Sequence, residues 1–234
     1  MSDERRIPSG LGTTATIAGL TWMRLVRGRA LWVGALIAVL PVLFAGAMRS
    51  VGEHTGGELF GIEVLILAVL APMLVGASIG EEIEDRTTTY LWSRPVPRWA
   101  ILAGKLVALA PLAAVLVIAS WIAASRIAWD SWPTVQTCIA LGAGAVTISL
   151  VSAGISTLAP RHGMALTIVY MLFFDFPLGI LPATLRELSV AHQVRSLAGT
   201  SPIETGAAAA AIALAIIAGV WTLIAAVRVR RLEA

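Results

Sequence analysis

The chain has 234 residues, of which 58% are hydrophobic and only 13% charged, with a mean hydropathy of +0.85. A soluble domain averages about 25% charged residues, so there is too little charge here to cover a water-facing surface, and apolar side chains must face lipid. The net charge of +3 and the pI of about 9.7 do not point to nucleic acid, because the basic residues gather at the ends of apolar runs.

The N-terminus carries Arg5-Arg6, but residues 7–19 are rich in Thr and Gly and lack a compact apolar core. A cleaved signal is therefore not expected, and the first apolar run should be kept as a membrane span. Residues 15–29 read as a helix lying in the interface. At about 100° per residue, Ala18, Trp22, Met23, Leu25 and Val26 share one arc and Thr21, Arg24 and Arg27 the opposite one. Ile17, Leu20 and Arg29 break the pattern. A basic helix bearing a Trp suits the headgroup region; a plain cytoplasmic extension of the first span stays open as the alternative.

Apolar runs follow at 30–48, 59–80, 99–124, 134–158, 163–181 and 204–227. Each has about the length needed to cross the hydrocarbon core, and in lipid such runs must be helical because every backbone amide has to bond internally. Six spans consume about 120 residues and leave no room for a soluble catalytic domain of roughly 100. The expected fold is an all-α membrane protein with six transmembrane helices in one domain over residues 1–234. With both termini in the cytoplasm, thirteen basic residues lie inside and only Arg49, Arg126, Arg186 and Arg195 outside, the bias that sets membrane orientation.

Within the spans, Ala145, Ser149 and Ala153, with Gly142, Gly144, Ser152 and Ser156, form a small-residue packing face. The alanine run 207–211 is read in the same way. The outer segment 182–203 places Leu181, Leu185 and Leu188 at helical spacing beside Arg186 and Glu187, which predicts a short amphipathic helix at the outer surface. Pro177 and Pro182 should bend the chain just before it. Two acids stand in apolar surroundings: Glu63 near the outer end of the second span, and Asp175 past the middle of the fifth. Acids at such depth mark possible pathway positions; a hydrated structural role for Asp175 weighs equally.

Signs of catalysis are missing. Cys138 is the only cysteine, so neither an intrachain disulfide nor a Cys-based metal site is possible. His54, His162 and His192 fall in predicted loops, and no H-E-x-x-H pattern occurs. Gly104-Lys105 is preceded by Trp99 where a phosphate loop needs glycine and followed by Leu106 where it needs Ser or Thr. Gly154-Ile155-Ser156-Thr157 lacks the second glycine of a nucleophile turn. Any ATP must be handled by a partner.

The segment joining the second and third spans is the most distinctive. It runs Gly80-Glu81-Glu82-Ile83-Glu84-Asp85-Arg86-Thr87-Thr88-Thr89-Tyr90-Leu91-Trp92-Ser93-Arg94-Pro95-Val96-Pro97-Arg98, with Gly104-Lys105 just beyond. As a helix, 81–91 would put Ile83, Thr87 and Tyr90 on one face and Glu81, Glu82, Asp85 and Thr88 on the other. Pro95 and Pro97 must end it. Lys105 is placed to snorkel back to the interface.

In these residues the chain resembles the integral-membrane subunits of the type-2 ABC exporters. The matching features are Glu82 and Glu84, the Thr87-to-Leu91 element, Pro95 to Arg98, and Gly104-Lys105; the family's common Gly-Thr appears here as Arg86-Thr87. The six-span layout, the interfacial N-terminal helix and the outer helix before the last span extend the likeness over most of the chain. The resemblance implies that the segment is a coupling helix seated on a separate ATPase subunit. Glu81, Glu82, Ile83, Glu84, Asp85, Arg86, Thr87, Tyr90, Leu91, Arg94, Pro95, Arg98 and Lys105 would make up the coupling surface. It further implies two ATPase copies that bind ATP and Mg, a second permease copy (identical or related), and a bacterial inner membrane. No cofactor is expected in this chain, and the cargo would be amphipathic or lipid-like. Two other readings remain: a subunit that passes ATP-driven motion to an extracytoplasmic partner, and a membrane assembly protein without an ATPase.

Overall fold

A computed structural model describes residues 10–52, 56–84, 98–181, 184–201 and 206–231. Every regular element among them is helical. Helix α1 (Gly10–Arg27) is followed by α2 (Arg29–Ala38) and α3 (Leu40–Val51), then by the long helices α4 (Gly56–Glu84), α5 (Arg98–Trp129) and α6 (Val135–Leu158). A 3-10 turn, Pro160–His162, leads into α7 (Gly163–Tyr170), a π-turn at Met171–Asp175, and the single turn α8 (Phe176–Leu178). A second 3-10 turn, Thr184–Leu188, precedes α9 (Val190–Leu197), and α10 (Ala207–Arg231) ends the described chain.

Among the described residues five stretches are long and apolar enough to cross a membrane: Arg29–Val51, Gly56–Ile79, Trp99–Trp129, Val135–Leu158 and Ala207–Val229. The chain is a multi-pass membrane protein. Helices α4 and α6 form its centre, with 72% and 67% of their spanning windows buried, whereas α2–α3 and α10 bury only 22% and 17%. Those two outer spans carry their apolar side chains, such as Leu36, Leu43, Ile212 and Leu223, outward, as residues facing hydrocarbon must.

Glycines set how closely the central helices approach. A Cβ on Gly76 would lie 2.8 Å from the Met164 Cα, one on Gly163 would lie 2.6 Å from the Ser156 Cα, and one on Gly154 would lie 2.4 Å from the Trp221 ring. The predicted small-residue face of the fourth span is therefore a packing face: Ala145, Ser149, Ser152, Ala153 and Ser156 are all buried. The alanine run is not. Only Ala210 is buried, while Ala207, Ala208, Ala209 and Ala211 lie on the exposed side of α10.

The expected fifth span, 163–181, is helical from Gly163 to Leu178, with the π-turn Met171–Asp175 set into its ladder. The sixteen residues from Gly163 to Leu178 would extend about 24 Å even as a regular helix, less than the hydrocarbon thickness of about 30 Å. Pro177 supplies no N–H to the helix ladder, and the wide turn before it closes with Phe176 N–H on the Met171 carbonyl. The first span has a lesser break at Val39, two residues before Pro41, where the missing donor again interrupts the ladder.

Helix α1 begins earlier than expected, at Gly10, and folds back against α5. A Cβ on Gly104 would sit 2.8 Å from both the Thr14 carbonyl oxygen and the Ile17 Cβ, so glycine is what allows the two backbones to meet. Thr13 and Leu25 are buried on this face, whereas Trp22, Met23 and Val26 are about half exposed on the other side. The helix has one apolar face for the protein and one for its surroundings. That is why Ile17 disrupts a single-arc pattern.

Candidate functional site

The acidic beginning of the distinctive segment does not start a new helix. Glu81, Glu82, Ile83 and Glu84 continue α4 without interruption, and Arg98 opens α5. Asp85, Arg86, Thr87, Tyr90, Leu91, Arg94 and Pro95 lie outside the described residues, so the structure does not bear on the expected helix beyond Glu84. The segment 85–97 connects the ends of two packed helices.

Lys105 joins those helices below the segment. It is buried, and its ammonium donates to the Ser78 carbonyl of α4. The α4–α5 seam brings this carbonyl acceptor within reach one residue from the end of the spanning stretch Gly56–Ile79. The Gly104-Lys105 pair has a physical explanation. Gly104 admits α1 on one side of α5, and Lys105 ties α5 to α4 on the other.

The two membrane acids have different settings. Glu63 is fully buried between α4 and α5; one carboxylate oxygen accepts from Ser120 Oγ at 3.3 Å, while Oε1 has no hydrogen-bond partner among the described residues. Phe60 and Trp121, edge to face at 5.2 Å, lie nearby on the same two helices.

Asp175 is fully buried too, but its oxygens are occupied. It accepts the Val190 N–H at 2.7 Å, the Ala191 N–H at 2.9 Å and the Ser189 hydroxyl at 3.3 Å. Ser189 Oγ in turn accepts the His192 N–H at 3.1 Å. Together these two side chains satisfy the first-turn donors that a helix leaves without internal partners, and a carboxylate there is favoured by the helix dipole. The other end of α9 is closed as tightly. Gly199 adopts φ +70°, and the Gly199 and Thr200 N–H groups return to the Ser196 and Arg195 carbonyls, a Schellman closure.

The segment expected to carry an amphipathic surface helix therefore holds something different. Leu185 and Leu188 lie in the 3-10 turn and are exposed, while α9, one step later, buries Val190, Ala191, His192, Gln193, Val194 and Ser196. Its Val194 packs 2.7 Å from where a Cβ of Gly144 would be, and Gln136 at the start of α6 donates to the Leu197 carbonyl at 2.7 Å. Gln193 holds the preceding turn through the Glu187 carbonyl and carboxylate, both at 2.9 Å. Burial pushes the His192 imidazole below its usual range, with Glu187 opposing the shift and Arg186 and Arg195 reinforcing it. The short helix is a capped wedge at the end of the bundle where α4 and α6 begin. A helix N-cap signal, Ser189 before Val190-Ala191, could have located it. The capping acid stands fourteen residues earlier, beyond the reach of local pattern.

Among the described residues no group of three or more His, Cys, Asp or Glu is arranged to hold a metal ion. The chain matches no protein-family model and no curated protein.

Proposed function

We propose that the chain is the permease subunit of an ATP-driven exporter of the type-2 ABC kind. In this reading α7, the π-turn and α8, together with the turns that flank them, complete a sixth crossing, both termini face the cytoplasm of a bacterial inner membrane, and residues 81–98 meet a separate ATPase subunit. Two ATPase copies would bind ATP and Mg, and two permease chains, identical or related, would form the path for an amphipathic or lipid-like cargo.

The observation that carries this reading is how the segment is mounted. Helix α4 continues through Glu84, α5 begins at Arg98, and Lys105 fastens the two helices together at Ser78. A load on residues 85–97 would pass into α4, the most buried span, and through Gly104 into α1. Short elements fixed at both ends transmit displacement to packed helices as rigid-body shifts. The acidic residues Glu81, Glu82, Glu84 and Asp85 suit a basic surface on the partner.

The test is charge reversal. In the complex purified from its own membrane, Glu82→Arg combined with Glu84→Arg should abolish permease-dependent ATP hydrolysis while helix content and melting temperature hold. Unchanged hydrolysis in a folded double variant would remove the coupling role.

A further inference from the structure

A crevice of about 380 Å³ opens where α1 turns into α2 and meets α4 and α5, within the size range of small-ligand sites, about 300–1,000 Å³. Arg24 and Arg29 stand exposed at its mouth, with Thr21 and Ser78 half-buried beside them. The deeper wall is apolar, made by Met73 and the buried Leu74 and Leu109. Arg29 and Ser78 both lie at the ends of their spanning stretches, Arg29–Val51 and Gly56–Ile79, which sets the mouth at headgroup depth.

Cations above an apolar slot at that depth match one ligand chemistry. We propose that the crevice holds a single anionic phospholipid, its phosphate on Arg24 and Arg29 and an acyl chain along Met73, Leu74 and Leu109. Guanidinium groups take phosphate oxygens in paired hydrogen bonds, and basic pockets between membrane helices are suited to acidic headgroups. A zwitterionic lipid brings its own ammonium and loses the charge advantage. A free phosphate would leave the apolar wall without a partner. This inference is independent of the transport reading; it requires only that the chain sit in a bilayer.

Native mass spectrometry of the detergent-purified protein tests it, using phosphatidylglycerol and phosphatidylcholine with identical acyl chains. Phosphatidylglycerol should be retained at roughly 30-fold lower concentration, the preference that two surface arginines supply. Arg24→Gln combined with Arg29→Gln should equalise the two lipids. Arg27→Gln, on the same helix but outside the crevice, should leave the preference intact. Ala77→Trp fills the slot without touching a charge and should reduce retention of both lipids. Melting temperatures verify that each variant is folded. Undiminished preference in the double arginine variant, full retention in Ala77→Trp, or displacement of phosphatidylglycerol by inorganic phosphate alone would each overturn the proposal, the last by revealing a site for a free anion.

Discussion

Replacing Asp175 with alanine should open α9 without dismantling the spans. The carboxylate accepts the Val190 and Ala191 N–H groups at 2.7 and 2.9 Å in a fully buried position. Removing it orphans two buried donors, each at a cost of roughly 1–3 kcal/mol, so the local loss is about 2–6 kcal/mol. Ser189 keeps its bond to the His192 N–H, so the third donor is spared. Because α9 is only eight residues long, the loss should appear as local opening, since short elements exchange independently of the global core. Hydrogen-exchange mass spectrometry in detergent reads this directly: residues 190–193 should lose at least about 30-fold of their protection, the equivalent of 2 kcal/mol, while α4 and α6 keep theirs. Asp175→Asn retains one carbonyl acceptor and should fall between the two. Protection at 190–193 within twofold of the parent in Asp175→Ala would refute the capping argument. Asp175 would then have to be explained as a group serving the interior.

Further predictions concern close helix contacts. In Gly104→Ala the new methyl would lie 2.8 Å from the Thr14 carbonyl oxygen, which as backbone has little room to move. An overpacking loss of about 1–3 kcal/mol should detach α1, seen as faster proteolysis within residues 10–27; unaltered cleavage would count against the docking of α1 on α5. Gly154→Ala places a methyl 2.4 Å from the Trp221 ring and should lower the melting temperature by a similar overpacking penalty. Adding Trp221→Leu should recover part of that loss, and a purely additive double variant would show that the ring is not the obstacle.

How much of this was legible beforehand depended on whether the signal was local. The span Val135–Leu158 matches the apolar run 134–158 almost residue for residue, because the run is bounded by a clear start signal, with Thr134 capping the Thr137 N–H at 3.4 Å. The run 163–181 looked equivalent by hydropathy. Its π-turn lies just before Pro177 and sets Asp175 against α9, and neither feature alters an apolar count. The acceptor of Lys105, the Ser78 carbonyl, lies in another helix, and sequence spacing does not bring the two together. The small residues of the alanine run 207–211 would permit close approach, yet α10 turns most of them outward. Of the proposed coupling residues, Glu81 to Glu84, Arg98 and Lys105 fall on described helices. Asp85 to Pro95 carry the resemblance and stay outside the described residues.

The central claim is that residues 81–98 touch an ATP-hydrolysing partner inside the cell, and site-specific photocrosslinking tests it at the point of contact. A benzophenone amino acid placed at Thr87, irradiated in intact native membranes, should join this chain to one protein, identified by mass spectrometry as an ATPase subunit. The yield should change when ATP is trapped. Crosslinks to lipid alone, or to a protein that does not bind ATP, would contradict the account.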